Sequence, residues 1–314
     1  MRVAVLCGGV GGSRFVSAMC QVLKPRDVTA IVNTGDDILM HGLHLSPDVD
    51  IVTYTLAGLV NEKTGWGRAQ DSFVAMEALG RLQPGNWFAL GDKDLGVHLY
   101  RTGRLAAGHS LTAISAEVAA AMGVEAQILP MCDEAVPTRV VTERGDVHFQ
   151  EFLVRDGCAG TIRAIYSQNM ENAKLTTPVQ KALRDCELIL LAPSNPFVSI
   201  GTILQVPGLR RALLENPCPK IGVSPLLGGK VIKGPAAKML ADLGHPVSAL
   251  GVAAQYRGLL DAFVMDGQDR ALDAPVQALG MRAVFADTML DTKERRSALT
   301  RRILQLAEEL ARER

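Results

Sequence analysis

The 314-residue sequence predicts an α/β protein, a mainly parallel sheet with a helical insertion. Three observations carry that expectation. Residues 2–7 form a short β-branched apolar run that breaks at once into Gly8-Gly9-Val10-Gly11-Gly12-Ser13 and a helix-like stretch over 14–23. A second strand-like run over 29–33 follows closely, completing a strand–helix–strand unit whose strands are parallel. Between 54 and 124 such runs vanish in favour of helical segments, and they return afterwards. The chain therefore divides into 1–53, the first part of the sheet domain, 54–124, the insertion, and 125–314, the remainder.

Each element has a local reason. Four glycines in five positions after a strand let the backbone approach an anion, and the free N–H groups of the following helical turn point at it. The pattern is neither common fingerprint. Counted from Gly9, the third glycine of G-x-G-x-x-G falls on Arg14, and no G-K-[ST] follows. The second strand opens into Thr34-Gly35-Asp36-Asp37, so both loops lie side by side at the carboxyl edge of the sheet. Within the insertion, helices are expected over 72–82, 97–102 and 110–122, the last capped by Ser110 and ended by Gly123. Beyond it come a strand over 126–129 and a hairpin of 138–142 with 147–152. The most apolar strand of this half, 187–192, runs into Pro193-Ser194-Asn195-Pro196, where two prolines stiffen a turn offering hydroxyl and amide groups. Strands over 220–223, 247–252, 262–264 and 282–286, a helix over 235–243 and an amphipathic helix over 292–314 complete the chain.

Composition excludes several classes. Lys+Arg and Asp+Glu both number 33, so no net field draws in nucleic acid. No apolar run approaches the ~20 residues that span a bilayer. The start does not read as a secretory signal, and six scattered cysteines without a C-x-x-C pair fit reduced thiols in a cytoplasmic protein.

Asp36, Asp37, Asp48 and Asp50 put four carboxylates within fifteen residues, beside a phosphate loop. Turn and cap chemistry accounts for any one of them. As a set they suit a hard cation such as Mg²⁺, whose oxygen ligands include phosphate. Asp36 or Asp37 holding a ribose hydroxyl is the alternative. His41 and His44 lack a third partner, which leaves packing or a substrate hydrogen bond rather than zinc. One of Asp92 and Asp94 is expected as a helix cap, the other as spare. Trp66 is a candidate for stacking a flat ring, or for the core. Lys230 and Lys233 are either phosphate partners or solvated. No pattern for covalent hydrolysis is present. Phosphoryl-type transfer, which needs positioning, a cation and donors, suits the inventory.

Taken in order, several blocks resemble one family. They are Gly8-Gly9-Val10-Gly11-Gly12-x-Arg14-Phe15, Asn33-x-Gly35-Asp36-Asp37-x-x-Met40-His41-Gly42, Ser46-Pro47-Asp48-x-Asp50, Gly65-Trp66-Gly67, Leu90-Gly91-Asp92-x-Asp94, His148-Phe149-Gln150 and Ala192-Pro193-Ser194-Asn195-Pro196-x-x-Ser199-Ile200-Gly201. The chain resembles the 2-phospho-L-lactate transferases of coenzyme F-420 biosynthesis from its first strand to at least Ser224-Pro225.

The resemblance implies a Rossmann-like core with helices on both faces, a homodimer and Mg²⁺. It further implies transfer of a phospho-three-carbon-acid group (phospholactyl, phosphoenolpyruvyl or phosphoglyceryl) from its diphosphoguanosine form to the ribityl hydroxyl of Fo, with loss of GMP. On this reading the amides of Gly9, Gly11 and Gly12, with Ser13, receive the diphosphate. Asp36 with Asp37 holds the cation. Asp50, whose counterpart contacts Fo in archaeal members, orients the ribityl chain or takes its proton. Ser194 and Asn195, with Pro196, hold the guanosine phosphate or ribose, and Asn33, Asp48, Asp92, Asp94 and Ser224 are further substrate-binding positions. A lysine of the archaeal members falls on Ala89, so that contact is replaced or absent. The competing readings are a nucleotide-sugar-binding regulator of the gluconeogenesis-factor type and a nicotinamide-dependent oxidoreductase.

Overall fold

The computed structural model describes residues 1–83, 85–231 and 234–314. The chain opens with β1 (Val3–Cys7), α1 (Gly9–Val22) and β2 (Val28–Val32), followed by a small hairpin, β3 (Ile38–Met40) and β4 (Leu43–Leu45). Four helices come next: α2 (Pro47–Leu56), α3 (Val74–Leu82), α4 (Asp92–Ala106) and α5 (Leu111–Ala121). Then follow β5 (Gln127–Pro130), β6 (Thr138–Thr142), β7 (Gly145–His148), β8 (Ile162–Ser167), α6 (Thr177–Asp185) and β9 (Leu188–Leu191). Helices α7 (Ile200–Gln205) and α8 (Leu209–Glu215) lead to β10 (Lys220–Val223) and a second hairpin, β11 (Leu226–Leu227) with β12 (Lys230–Val231). The chain closes with α9 (Ala236–Asp242), α10 (Ala249–Ala254), β13 (Ala262–Asp266), α11 (Asp273–Gln277), β14 (Arg282–Ala286) and α12 (Lys293–Arg312).

Seven strands form one parallel sheet in the order β14-β13-β10-β9-β1-β2-β5. The chain works outward from β1 to β5, then returns to lay β9 on the other side of β1. That reversal opens a crevice at the carboxyl ends of β1 and β9, where open α/β sheets take their ligands. Both faces of the sheet are covered, so β1 and β9 are apolar throughout. Phe15, Val52 and Ile303, from α1, α2 and α12, pack on one face. Leu183, Ile203, Leu213 and Val252, from α6, α7, α8 and α10, pack on the other.

Several boundaries differ from expectation for physical reasons. Helix α1 starts at Gly9, so the glycines are its first turn rather than a loop before it. The expected strand over 247–252 is helix α10, whose N-cap Ser248 accepts a bond from the Gly251 amide. A short apolar run rich in alanine and glycine carries no period by which to tell the two apart. The second hairpin strand ends at His148, and a π-helical turn over Glu151–Arg155 replaces the rest. Strand β8, which pairs with β6 on its free side, escaped the sequence reading. The β3–β4 hairpin was not anticipated either. Its turn residues, His41 and Gly42, both have positive φ, 52° and 76°, as a two-residue type I′ turn requires. His41 is thus an exposed turn residue.

Between α2 and β5 the described elements are all helices, with Tyr54, Val97, Ile114 and Val118 as their small shared core. Helix α2 runs through the boundary drawn at residue 53. Trp66 is 53% exposed, at a turn between two positive-φ glycines, which removes the core reading. Lys233 lies outside the described residues.

Candidate functional site

The crevice has two walls, and each is built from backbone turns the sequence makes easy. On the first, Gly8 is the N-cap of α1 and donates its N–H to Ser194 Oγ at 3.1 Å. Ser194, in the loop after β9, donates back to the Gly8 carbonyl at 2.7 Å. One hydroxyl therefore ties the two loops at the reversal point. The glycines are demanded by contact: a Cβ on Gly11 would sit 2.5 Å from the Pro193 carbonyl oxygen, and one on Gly12 2.7 Å from Ser194 Oγ.

The first helical turn is already partly engaged. The Gly9 N–H donates to Asp48 Oδ1 at 2.8 Å. The helical pattern pairs the Gly12 N–H with the Gly8 carbonyl, and Ser13 Oγ turns back to the Val10 carbonyl at 3.0 Å. Val10 and Gly11 thus carry the first-turn amides that have no intrahelical acceptor and no carboxylate. Asn195 Oδ1 accepts from the amides of Phe197 and Val198, closing its own turn, and the Pro196 carbonyl seats against Gly201. Ser224 Oγ both donates to and accepts from the Leu226 backbone at the end of β10. These three shape loops around the crevice.

The second wall follows β2. Asn33 is anchored by its N–H to the Cys7 carbonyl and by Oδ1 to the Gly35 amide. Its Nδ2 donates to Asp36 Oδ1 and to Asp48 Oδ2, each at 2.8 Å, so one amide bridges two carboxylates. Gln150 Nε2 donates to Asp36 Oδ2, also at 2.8 Å. Both carboxylates are 5% exposed, and among the described residues neither has a lysine or arginine partner. Burial first, then the Asp48 charge, holds the Asp36 carboxyl well above the usual carboxylate range. Burial pushes Asp48 up to about 6.

Asp37 sits beside this pair. Its Oδ2 accepts from Ser46 Oγ at 2.7 Å, and its Oδ1 is buried with no hydrogen-bond partner. Burial raises this carboxyl as well. His148 Nε2 donates to the Asp37 carbonyl while its Nδ1 accepts from the Gln150 amide, which fixes the tautomer. Burial lowers the pKa of this imidazole.

Asp48 and Asp50 are on the first turn of α2, after Pro47 at N1. Asp50 is engaged on both oxygens by Arg101 of α4, a buried ion pair. Asp94 accepts from the Tyr54 hydroxyl, and burial raises it to about 6. Asp92 is turned away: it caps α3 through the amides of Val74 and Ala75. Asp71 reciprocates by capping α4 through Lys93.

Of the residues anticipated from sequence, the fold brings together Gly9, Gly11, Asn33, Asp36, Asp37, Asp48 and Ser194. Arg101, Gln150's bond to Asp36 and His148's to Asp37 were not anticipated. They span 51, 114 and 111 residues of chain; the His148-Phe149-Gln150 block marks two of the residues but not their partners, and no local pattern marks Arg101.

The donor set fits a hard cation. Among the described residues no three His, Cys, Asp or Glu side chains form a metal-ligand group, so the chain offers no closed cage. Mg²⁺ does not require one, being held by one or two carboxylates together with substrate phosphates and water. The unpartnered Asp37 Oδ1 and the uncompensated Asp36–Asp48 pair meet that description.

A phosphoenolpyruvate transferase of Streptomyces griseus subsp. griseus is 40% identical over 316 residues, spanning 99% of each chain. A 2-phospho-L-lactate transferase of Methanospirillum hungatei is 37% identical over 302 residues, 96% of this chain and 99% of its own. The crystal structure of a UPF0052 family protein from Bacillus halodurans superposes with a TM-score of 0.60 at 17% identity, covering 96% of this chain and 98% of its own, a likeness of fold. The family model described as 2-phospho-L-lactate transferase CofD matches residues 3–304. With its glycine-turn helix, its acidic turn after β2 and this match along nearly its whole length, the chain belongs to the 2-phospho-L-lactate transferase CofD family.

Proposed function

We propose that this transferase of coenzyme F-420 biosynthesis moves a phospho-three-carbon-acid group from its GDP-activated form to the terminal ribityl hydroxyl of Fo, releasing GMP. In this reading it acts as a cytoplasmic homodimer, with an acid of the lactate, enolpyruvate or glycerate kind. The observation that carries the reading is the pair of buried carboxylates, Asp36 and Asp48, without a cationic partner among the described residues and next to an anion-favouring helix N-terminus.

The acceptor oxygen forms a bond to the phosphorus bearing the acid, the bond from that phosphorus to the GMP oxygen breaks, and the hydroxyl proton leaves to solvent or a carboxylate. Such transfer asks for placement and charge stabilisation more than for covalent help from the protein. The amides of Val10 and Gly11 bind the diphosphate at the start of α1. Asp36 and Asp37 would hold Mg²⁺, which when bound neutralises charge on the phosphoryl oxygens. Asn33 and Gln150 keep the Asp36 carboxylate aimed, and Asp50 meets the ribityl chain. Ser194 keeps the two loops in register under the guanosine phosphate.

The test is incubation of the protein with Fo, Mg²⁺ and each GDP-activated acid in turn, followed by mass measurement. The expected result is a phosphodiester of Fo and the acid, formed one to one with GMP. Unchanged Fo with all three donors would overturn the assignment.

A further inference from the structure

We infer that Arg101 is a positioning residue for the acceptor: its guanidinium fixes the Asp50 carboxylate as an oriented hydrogen-bond acceptor. The inference rests on the reading above and adds to it a residue on α4.

Arg101 is 2% exposed and heads the fully buried side chains. Its Nη1 donates to Asp50 Oδ2 at 3.1 Å, and its Nη2 donates to Asp50 Oδ1. Nη1 also donates to the His44 carbonyl at 3.3 Å, so one group ties α4 to the first turn of α2 and to β4. Nη1 also lies 3.3 Å from His98 Nδ1, a third acceptor that its two N–H groups reach by sharing a hydrogen, and since a guanidinium only donates, that nitrogen is the acceptor. The His98 proton is then on Nε2, which faces Asp94 at 3.9 Å. Burial keeps His44 and His98 from carrying charge, so the positive charge at Asp50 is that of Arg101.

The arrangement is a poor way to gain stability. A buried ion pair does no better than an apolar pair of the same volume, because both ions lose their water. It is a good way to gain direction. A forked guanidinium fixes the plane of the carboxylate it grips and leaves only the outward lone pairs for a ligand. A carboxylate so held accepts a hydroxyl's hydrogen bond in one fixed direction. Arg101 also binds the His44 carbonyl, His44 Nδ1 lies 3.4 Å from Ser46 Oγ, and Ser46 donates to Asp37, so the orientation set by Arg101 is imposed beside the acidic turn after β2.

The test uses Arg101→Lys, Arg101→Met and the double variant Asp50→Asn/Arg101→Met. Affinities for Fo and for GDP with Mg²⁺ are measured by calorimetry, alongside steady-state kinetics and melting. Arg101→Lys should weaken Fo binding and raise its KM about tenfold, with GDP affinity and donor KM within about twofold of wild type. Arg101→Met leaves Asp50 buried and unpaired and should melt lower. The double variant should melt near wild type, yet keep kcat/KM for Fo roughly 100-fold down. Recovery of kcat/KM in the double variant, or equal weakening of Fo and GDP in Arg101→Lys, would make the pair merely structural. Fo binding tests Arg101 even if no product forms. A wild type that binds Fo without modifying it would sink the reaction and spare the residue, and one that binds no Fo would sink both.

Discussion

On the crevice wall formed after β1 and β9, most polar groups are answered from within the protein, Gly8 by Ser194, Gly9 by Asp48, Ser13 by Val10, Asn195 by its own turn, and the Val10 and Gly11 amides are what is left for an anion. On the wall after β2, two carboxylates share a single amide, and a third has a buried oxygen with no hydrogen-bond partner among the described residues. The first wall behaves as scaffold, with free energy already recovered in contacts. The second carries uncompensated charge that burial makes costly until a cation and its phosphates arrive. A site is most recognisable where the fold is least satisfied by itself.

The sharpest way to break this contrast is Asp36→Asn. It should lower kcat at least ~100-fold, the scale lost with one preorganised electrostatic contact. It should also raise the melting temperature of the ligand-free protein at pH 7.5, since Gln150 can turn its amide to suit. Near-native turnover, or a lower melting point, would return Asp36 to ordinary turn chemistry. The scaffold wall responds differently. Gly11→Ala drives a methyl against the Pro193 carbonyl, and thermal melts should show a loss of about 1–3 kcal/mol, with activity falling as the two loops part.

A pH series reads the open wall without any substitution. Asp48 rises to about 6 on folding, and Asp36 and Asp37 also rise, so the folded state binds more protons than the unfolded one in that range. Their stabilisation is therefore present at low pH and lost as pH climbs through about 6. His44, His98 and His148, whose pKa burial lowers, pull the other way, so the carboxylates' share is read as wild type minus Asp36→Asn. Relative to Asp36→Asn, the ligand-free wild type should lose melting temperature from pH 5 to pH 7.5; parallel curves would mean the carboxylates are compensated. At the small end, Ser110→Ala removes the hydroxyl that caps α5 through the Ala113 amide. It should cost ~1 kcal/mol of stability and leave kcat within about twofold.

The same contrast explains what was legible in the sequence. Glycines 8, 9, 11 and 12, the strand before them and the Asp36–Asp37 turn are local features, and the parallel order of the first strands places them together. Arg101, Gln150 and His148 act across the chain, and nothing in their own neighbourhoods marks them as partners of aspartates. Asp92 shows the converse. The pattern offered a helix cap for one of Asp92 and Asp94 and the resemblance a substrate contact for both; the Asp92 oxygens meet the amides of Val74 and Ala75 on the preceding helix, α3, a capping partner no spacing rule identifies. Helix α10 was misread because alanine and glycine give burial without period.

The central claim is that the start of α1 and the acidic turn after β2 together grip one diphosphate–cation unit. A crystal of the protein with GDP and Mn²⁺, measured for anomalous scattering, tests it most directly. The account predicts one strong peak roughly 2.2 Å from a carboxylate oxygen of Asp36 or Asp37 and from a diphosphate oxygen, with that diphosphate on the amides of Val10 and Gly11. A manganese peak outside this turn, or a diphosphate lodged away from α1, would contradict it.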